Sequence, residues 1–434
     1  MLGRDVTICY GGLDQCIVII SEHFIVRFCA STTGPLFLGK AQTEFMASIR
    51  KKILRAAAGV EQKFDDLIFD LRQRLGLNDP IQVVTYRTYG TVNNLYVKGR
   101  VLEDKSIRKS SSSDSVMQNI AAMYRRFESD EVPGTTLGIT FANEEHTVIS
   151  NKEGYFVKTL ATEQSIPWND MWHEVEVRLI DAPIPFPEGL STIAEVLVPP
   201  ADAEYGVISD IDDTIVKTGA TSLLAMSRNT FFHNAHTRLP FAGVAEFYKA
   251  LLLGRNGKRN NPFFYVSSSP WNVYDLLTDF MDVNDIPPGP LLLRDFGLDA
   301  DKAGSSDHMG HKSKEIEQIL NAYPHLPFIL IGDSGQDDPA IYREMVKKYP
   351  GRILAVYIRD VKLPDRHRVA LEISREVAGH KVEMVIVENT VQAAEHAAAN
   401  GLIFTEAMPE IEKDKKQDEG ELPGKEEMTV DVSE

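Results

Sequence analysis

The stretch Gly206-Val-Ile-Ser-Asp210-Ile-Asp212-Asp-Thr214 decides how this chain is read. A short apolar strand runs straight into two carboxylates, Asp210 and Asp212, with a hydroxyl following at Thr214. At the carboxyl tip of a strand both carboxylates can turn toward one metal-centred site. One can then attack phosphorus while the other moves the proton, which would be two-step phosphoryl transfer through an aspartyl-phosphate. Further along, a second apolar strand ends in carboxylates: Phe328-Ile-Leu-Ile-Gly-Asp333-Ser-Gly-Gln-Asp337-Asp338-Pro339. Between the two lies a third strand end, Phe263-Phe-Tyr-Val-Ser267-Ser268-Ser269-Pro270, followed by His311-Lys312.

That order resembles the haloacid dehalogenase (HAD) superfamily of phosphatases, whose four motifs appear in this sequence. Within it, Asp-Ile-Asp-Asp-Thr, Tyr-Val-Ser-Ser-Ser-Pro-Trp and Ile-Gly-Asp-Ser-Gly-Gln-Asp-Asp-Pro resemble the App1-type phosphatidate phosphatases, relatives of the lipins. The resemblance covers roughly residues 80–360. It implies Asp210 as nucleophile and Asp212 as general acid/base, with Ser267 on the transferring phosphoryl group. It also implies Lys312 as the cation that neutralises phosphate and nucleophile. Thr214 and the backbone N–H of Ser268 complete the expected substrate contacts.

Asp210, Asp212, Asp333 and Asp338 form the expected metal set. Mg²⁺ takes oxygen ligands and keeps several waters, so a few carboxylates plus phosphate oxygens suffice. Asp337 competes with Asp338 for this role, and Asp-Pro-Ala at 338–340 also reads as a plain helix start. Lys314 competes with Lys312. Asp213 reads better as a helix cap than as a ligand.

Beyond the motifs, strands and helices alternate from Pro200 to about residue 400, at Tyr205–Ser209, Phe263–Ser267, Phe328–Ile331, Ile353–Ile358 and Val382–Val387. That alternation predicts a parallel sheet covered by helices on both faces, with the site at the carboxyl ends of the strands. The fold class is therefore an α/β Rossmann-like domain over residues 201–405. Residues 80–200 precede it as a mainly β, antiparallel domain of sandwich or barrel type, built from short alternating runs. Asn119–Phe127 is expected as an inserted helix. Residues 46–79 read as an amphipathic helix with Ile49, Ile53, Ala57, Val60 and Phe64 on one stripe. Its basic residues Arg50, Lys51, Lys52 and Arg55 suit either a peripheral membrane contact or a solvated face. Residues 1–45 are expected to be unstructured or a mis-assigned extension. Residues 410–434 hold ten acidic residues against four lysines and read as a disordered tail.

The net charge of −17 over 434 residues speaks against nucleic acid as a partner. It also speaks against broad adhesion to anionic membranes, so any lipid contact must be local. The three cysteines, Cys9, Cys16 and Cys29, all lie near the start, leaving no disulfide framework in the body of the chain. No apolar run near the start is long enough to span a bilayer, and the expected location is cytoplasmic.

About fifty residues separate the first motif from Ser267, and about forty separate Ser267 from Lys312. Neither span holds a large cap domain, so the site is expected to be open to a headgroup in a membrane or a macromolecular phosphate. The resemblance therefore implies a Mg²⁺-dependent phosphatase converting phosphatidic acid to diacylglycerol and phosphate. Two other readings stand beside it: a phosphatase for a soluble or protein phosphomonoester, and a phosphatidate-binding module without turnover.

Overall fold

The structure is a computed structural model. It describes residues 6–9, 16–19, 80–103, 131–162, 170–212, 214–215, 242–294 and 308–419. The chain divides into two compact units, residues 1–77 and 78–434. In the first, β1 (Val6–Cys9) and β2 (Cys16–Ile19) form an antiparallel pair. This corrects the expectation of an unstructured start for those eight positions, where β-branched residues dominate and favour strands. The amphipathic helix expected over 46–79 and the helix expected at 119–127 lie outside the described residues.

The second unit opens with β3 (Ile81–Thr85), β4 (Thr88–Thr91), β5 (Asn94–Glu103), β6 (Thr136–Phe141), β7 (Glu144–Ile149), β8 (Tyr155–Ala161), β9 (Trp172–Asp181) and β10 (Ser191–Leu197). They join in one sheet in the order β3-β5-β4-β10-β9-β6-β7, with β8 on β5. The expectation of a purely antiparallel domain is corrected, because β10 pairs with β4 in parallel, Val196 opposite Thr88. Alternation drives the fold: Leu95, Val97 and Val101 of β5 face inward and are fully buried.

Six parallel strands follow: β11 (Gly206–Asp210), β12 (Phe263–Pro270), β13 (Leu291–Arg294), β14 (Phe328–Asp333), β15 (Ile353–Arg359) and β16 (Glu383–Val387). Their order is β13-β12-β11-β14-β15-β16. The seven helices described are α1 (Val244–Leu253), α2 (Tyr274–Val283), α3 (His308–Ala322), α4 (Asp338–Lys348), α5 (Pro364–Ala378), α6 (Thr390–Ala399) and α7 (Met408–Asp418). Strand residues are apolar without alternation because both faces are covered. Val207, Phe263 and Ile329 pack with α1, α2 and α6, whereas Ile208, Phe264 and Leu330 pack with α3, α4 and α5. From β11 the chain builds one side of the sheet and then, at β14, the other. The crevice at the carboxyl ends of β11 and β14 is therefore the switch point where open α/β sheets bind ligands.

The disordered acidic tail is corrected for residues 410–418, which belong to α7. Ile411 is fully buried. The Asp414 carboxylate accepts the Glu246 N–H at 3.2 Å, and Asp418 accepts the Gly243 N–H at 2.9 Å. Gly243 precedes α1 and has no side chain to cap it, so α7 supplies the missing acceptors. The α/β domain accordingly runs past residue 405, to α7.

The β sheet is clamped to the α/β domain by aromatic contacts. Tyr86 lies 4.5 Å from Trp271 and 4.6 Å from Tyr274 between ring centroids, and the Tyr274 hydroxyl accepts the Arg87 N–H at 2.8 Å. Tyr89 meets Phe264 edge-on, and the Tyr323 hydroxyl donates to the Gly90 carbonyl at 2.8 Å. Among the described residues, no helix is long and apolar enough to cross a membrane.

Candidate active site

Asp210 is the last residue of β11 and Asp333 the last residue of β14, two neighbouring strands. Asp338 opens α4 and turns back onto them. Its Oδ2 accepts the Asp333 N–H at 3.1 Å. This return is possible because residue 332 is glycine: a Cβ there would fall 2.5 Å from Asp338 Oδ2 and 2.9 Å from Asp338 Cβ. The Asp333 Oδ1 in turn accepts the N–H groups of Gly335 and Gln336, at 2.6 and 3.1 Å, which locks its rotamer.

Lys312, from α3, which packs on the same face of the sheet as α4, completes the cluster. Its Nζ lies 2.6 Å from Asp210 Oδ1 and 2.8 Å from Asp338 Oδ1, and it donates to Gln336 Oε1 at 3.3 Å. Asp210, Asp333 and Asp338 offer oxygen atoms that all lie within 4.8 Å of one another. Burial drives the Asp210 carboxyl well above the usual carboxylate range. Lys312 opposes this, while Asp338, Asp212 and Asp333 add to it. Burial pulls the Lys312 ammonium down, but the attraction of Asp210 and Asp338 outweighs it and holds Lys312 above its ordinary value. One buried cation thus faces several buried carboxylates, and crowded acids of this kind call for further positive charge.

The remaining expected residues fall on the other side of Asp210. Asp212 Oδ2 accepts the Ser267 hydroxyl at 2.9 Å, and Ser267 Oγ accepts the Ser269 N–H at 3.0 Å. The Thr214 hydroxyl donates to Asp210 Oδ2 over 3.5 Å. Ser268 Oγ is without a hydrogen-bond partner among the described residues. Asp212 does not share the three-carboxylate cluster, so the expected four-residue metal set divides in space: three acids together, and Asp212 with Ser267.

Of the competing pairs, Asp338 and Lys312 occupy the cluster. Asp337 is exposed and lies 3.6 Å from Arg366, and Lys314 is exposed on α3. Asp213 lies outside the described residues. Gln336 was not singled out from sequence, although it sits inside the Gly-Asp-Ser-Gly-Gln motif. Its amide oxygen against Lys312 is visible only once the loop is folded. Beside the cluster a cavity of about 290 Å³ is lined in part by Thr214, Gly332, Arg359 and Lys362.

Residues 205–360 match the family described as "Phosphatidate phosphatase APP1, catalytic domain". Over 155 residues, 36% of this chain, the sequence is 37% identical to phosphatidate phosphatase APP1 of Saccharomyces cerevisiae. Over 269 residues, 59% of this chain, it is 26% identical to an uncharacterized protein of Schizosaccharomyces pombe. The matches span 25% and 39% of those two proteins' lengths. A carbohydrate acetylesterase structure from Xanthomonas citri aligns with 69% of this chain and 75% of its own at 14% identity, with a TM-score of 0.22. That score is too low to relate the folds. The motif resemblance is with the first of these families: from Tyr205 to Asp360 this chain is similar to the catalytic domain of phosphatidate phosphatase APP1.

Proposed function

We propose that this chain is a Mg²⁺-dependent phosphatase of the HAD type that hydrolyses phosphatidate through an aspartyl-phosphate on Asp210. The observation that carries the reading is the meeting of Asp210, Asp333 and Asp338 within 4.8 Å around Lys312, at the switch point of a parallel sheet. All three acids present hard oxygen donors, which suit Mg²⁺. Bound by them, Mg²⁺ supplies the positive charge that lets a phosphate dianion approach carboxylates.

Asp210 attacks phosphorus, and the bond to the glyceryl oxygen breaks as the new P–O bond forms. Asp212, held by Ser267 at 2.9 Å, gives its proton to the leaving alkoxide. It then takes a proton from water as that water attacks the phosphoryl group, which restores Asp210 and releases phosphate. Lys312 offsets part of the cost of ionising the buried Asp210. Ser267 orients Asp212 through its single hydroxyl proton until that proton turns to the phosphoryl group.

Phosphatidate as substrate rests on the names of the matched family and of the S. cerevisiae relative. The test is phosphate release from phosphatidate vesicles and from soluble phosphomonoesters, with Mg²⁺ and with excess chelator. Magnesium-dependent release from phosphatidate supports the reading. Release from soluble esters alone replaces the substrate, and full activity in chelator removes the metal.

A further inference from the structure

A second cavity, of about 470 Å³, lies between the β sheet and the α/β domain. That volume is within the ordinary range for small-molecule sites, about 300–1,000 Å³. One wall is a single stripe of α3: His311, Lys314, Glu315, Gln318 and Ala322, at intervals of three and four. From His311 to Ala322 the stripe runs about 16 Å at the α-helical rise. The facing wall is the β4–β5 hairpin, and the floor is β13, the edge strand of the parallel sheet, whose Leu291 and Leu293 pack to one face and Leu292 to the other.

Both upper walls grow directly out of the candidate active site. His311 precedes Lys312, and Trp271 follows the Ser267–Pro270 strand end. Because β13 runs parallel to β12, Leu293 lies toward the catalytic edge and Pro290 toward the opposite end. Charge is graded along this axis. Lys314 and Lys98 stand at the catalytic end, where the Lys98 ammonium sits 3.8 Å above the Trp271 ring. The Trp271 indole N–H is buried there without an acceptor among the described residues. Among the described residues Glu315 is the one carboxylate lining the groove, and Arg87 also lines it, paired with Glu195 at 2.9 Å. Past it the walls carry Gln318, Ala322, Gly90 and Asn94, all uncharged.

We infer that this groove receives the hydrocarbon chain of the substrate, with its ester region at Trp271 and Lys98 and its phosphate at Asp210. The inference rests on the phosphatase reading above and makes the β sheet a substrate-binding element. An amphiphile with one anionic end fits a channel that has two lysines beside the catalytic acids and, beyond Glu315, walls whose one further charge, Arg87, is already paired with Glu195.

The probe is dodecyl phosphate below its micelle concentration, with butyl phosphate as the short-chain comparison. Binding is measured by calorimetry on the full chain carrying Asp210→Asn, which cannot turn over. Dodecyl phosphate is expected to bind at least about tenfold more tightly than butyl phosphate. Gln318→Trp and Asn94→Trp fill the groove from opposite walls at exposed positions, and each should shrink that ratio to below about threefold. Equal affinity for the two alkyl phosphates overturns the groove, as does an undiminished ratio in both tryptophan variants. The outcome is separable from the activity itself. If the unaltered chain hydrolyses no phosphatidate yet the ratio collapses in the variants, the groove stands and the substrate reading falls. If it hydrolyses phosphatidate and the ratio does not respond, the groove falls and the activity stands.

Discussion

Lys312 Nζ lies 2.6 Å from Asp210 Oδ1, a helix-borne ammonium set against a strand-tip carboxylate where both are almost fully buried. The same ammonium also holds Asp338 at 2.8 Å and so ties the tip of β11 to the start of α4. Removing one partner of a buried pair leaves the other uncompensated. Lys312→Met is therefore expected to destabilise the fold by about 3–5 kcal/mol in chelator, measured by urea unfolding. Added Mg²⁺ should recover more stability in the variant than in the unaltered chain, because the cation replaces the lost charge. Equal stability of the two proteins in chelator would contradict the ion-pair account.

Gly332→Ala addresses the placement of Asp338. The new Cβ meets Asp338 Oδ2 at 2.5 Å, and Asp338 is held on its other side by Lys312, so the carboxylate must shift. A displacement on the scale of 1 Å in a catalytic group lowers turnover by about a hundredfold. Phosphate release should fall by that order and require more Mg²⁺, with the circular dichroism spectrum retained. Undiminished turnover would show that Asp338 is dispensable.

Asp210 gives a pH-dependent signature in metal-free protein. Its carboxyl is raised well above the ordinary value of 3.8 in the fold, first by burial. The folded state therefore holds this proton more tightly than the unfolded state does. The corresponding stability is complete below the unfolded value and is lost as pH rises through the folded one. Asp210→Asn removes that loss and leaves Lys312 its second carboxylate, Asp338, at 2.8 Å. In chelator the variant should melt above the unaltered chain once pH passes this window, with a gap that widens across it. A variant that melts lower at neutral pH would contradict the assigned direction.

Asp414 tests the docking of α7. Its carboxylate accepts the Glu246 N–H in the first turn of α1, an orphan donor otherwise. Asp414→Ala should cost about 1 kcal/mol in urea unfolding, the usual value of a lost helix cap. No measurable change would mean that the Asp414 cap contributes nothing to α1.

Much of this architecture was legible in the sequence because parallel strands buried on both faces appear as continuous apolar runs. β11 and β14 end abruptly in aspartate, which marks strand and site at once. The shorter strands were not legible. β4, with Tyr-Gly at its centre, and the four-residue β13 carry too little pattern, and β10 is exposed at every second position and follows a proline-rich stretch. α7 was misread as disordered because its composition is charged. What orders it is tertiary: Ile411 has a slot beside α1, and Asp414 and Asp418 find backbone donors that only the folded chain presents.

The choice between neighbours was also tertiary. Asp337 and Asp338 are indistinguishable by composition, and only the start of α4 turns one outward and the other onto Lys312. Trp271 stood inside a quoted motif. Its partnership with Lys98, more than 170 residues earlier, needed the β sheet to dock against the α/β domain.

The central claim is that Asp210 carries the phosphoryl group, and Asp212→Asn tests it most directly. This variant keeps the attacking carboxylate but lacks the group that activates water. With nitrophenyl phosphate, whose leaving group needs no proton, it should give a burst of nitrophenolate equal to the enzyme present. Mass spectrometry should then find one phosphoryl group on the peptide carrying Asp210, and none in the double variant with Asp210→Asn. A phosphoryl group on any other residue, or full steady turnover of phosphatidate by Asp212→Asn, would contradict the account.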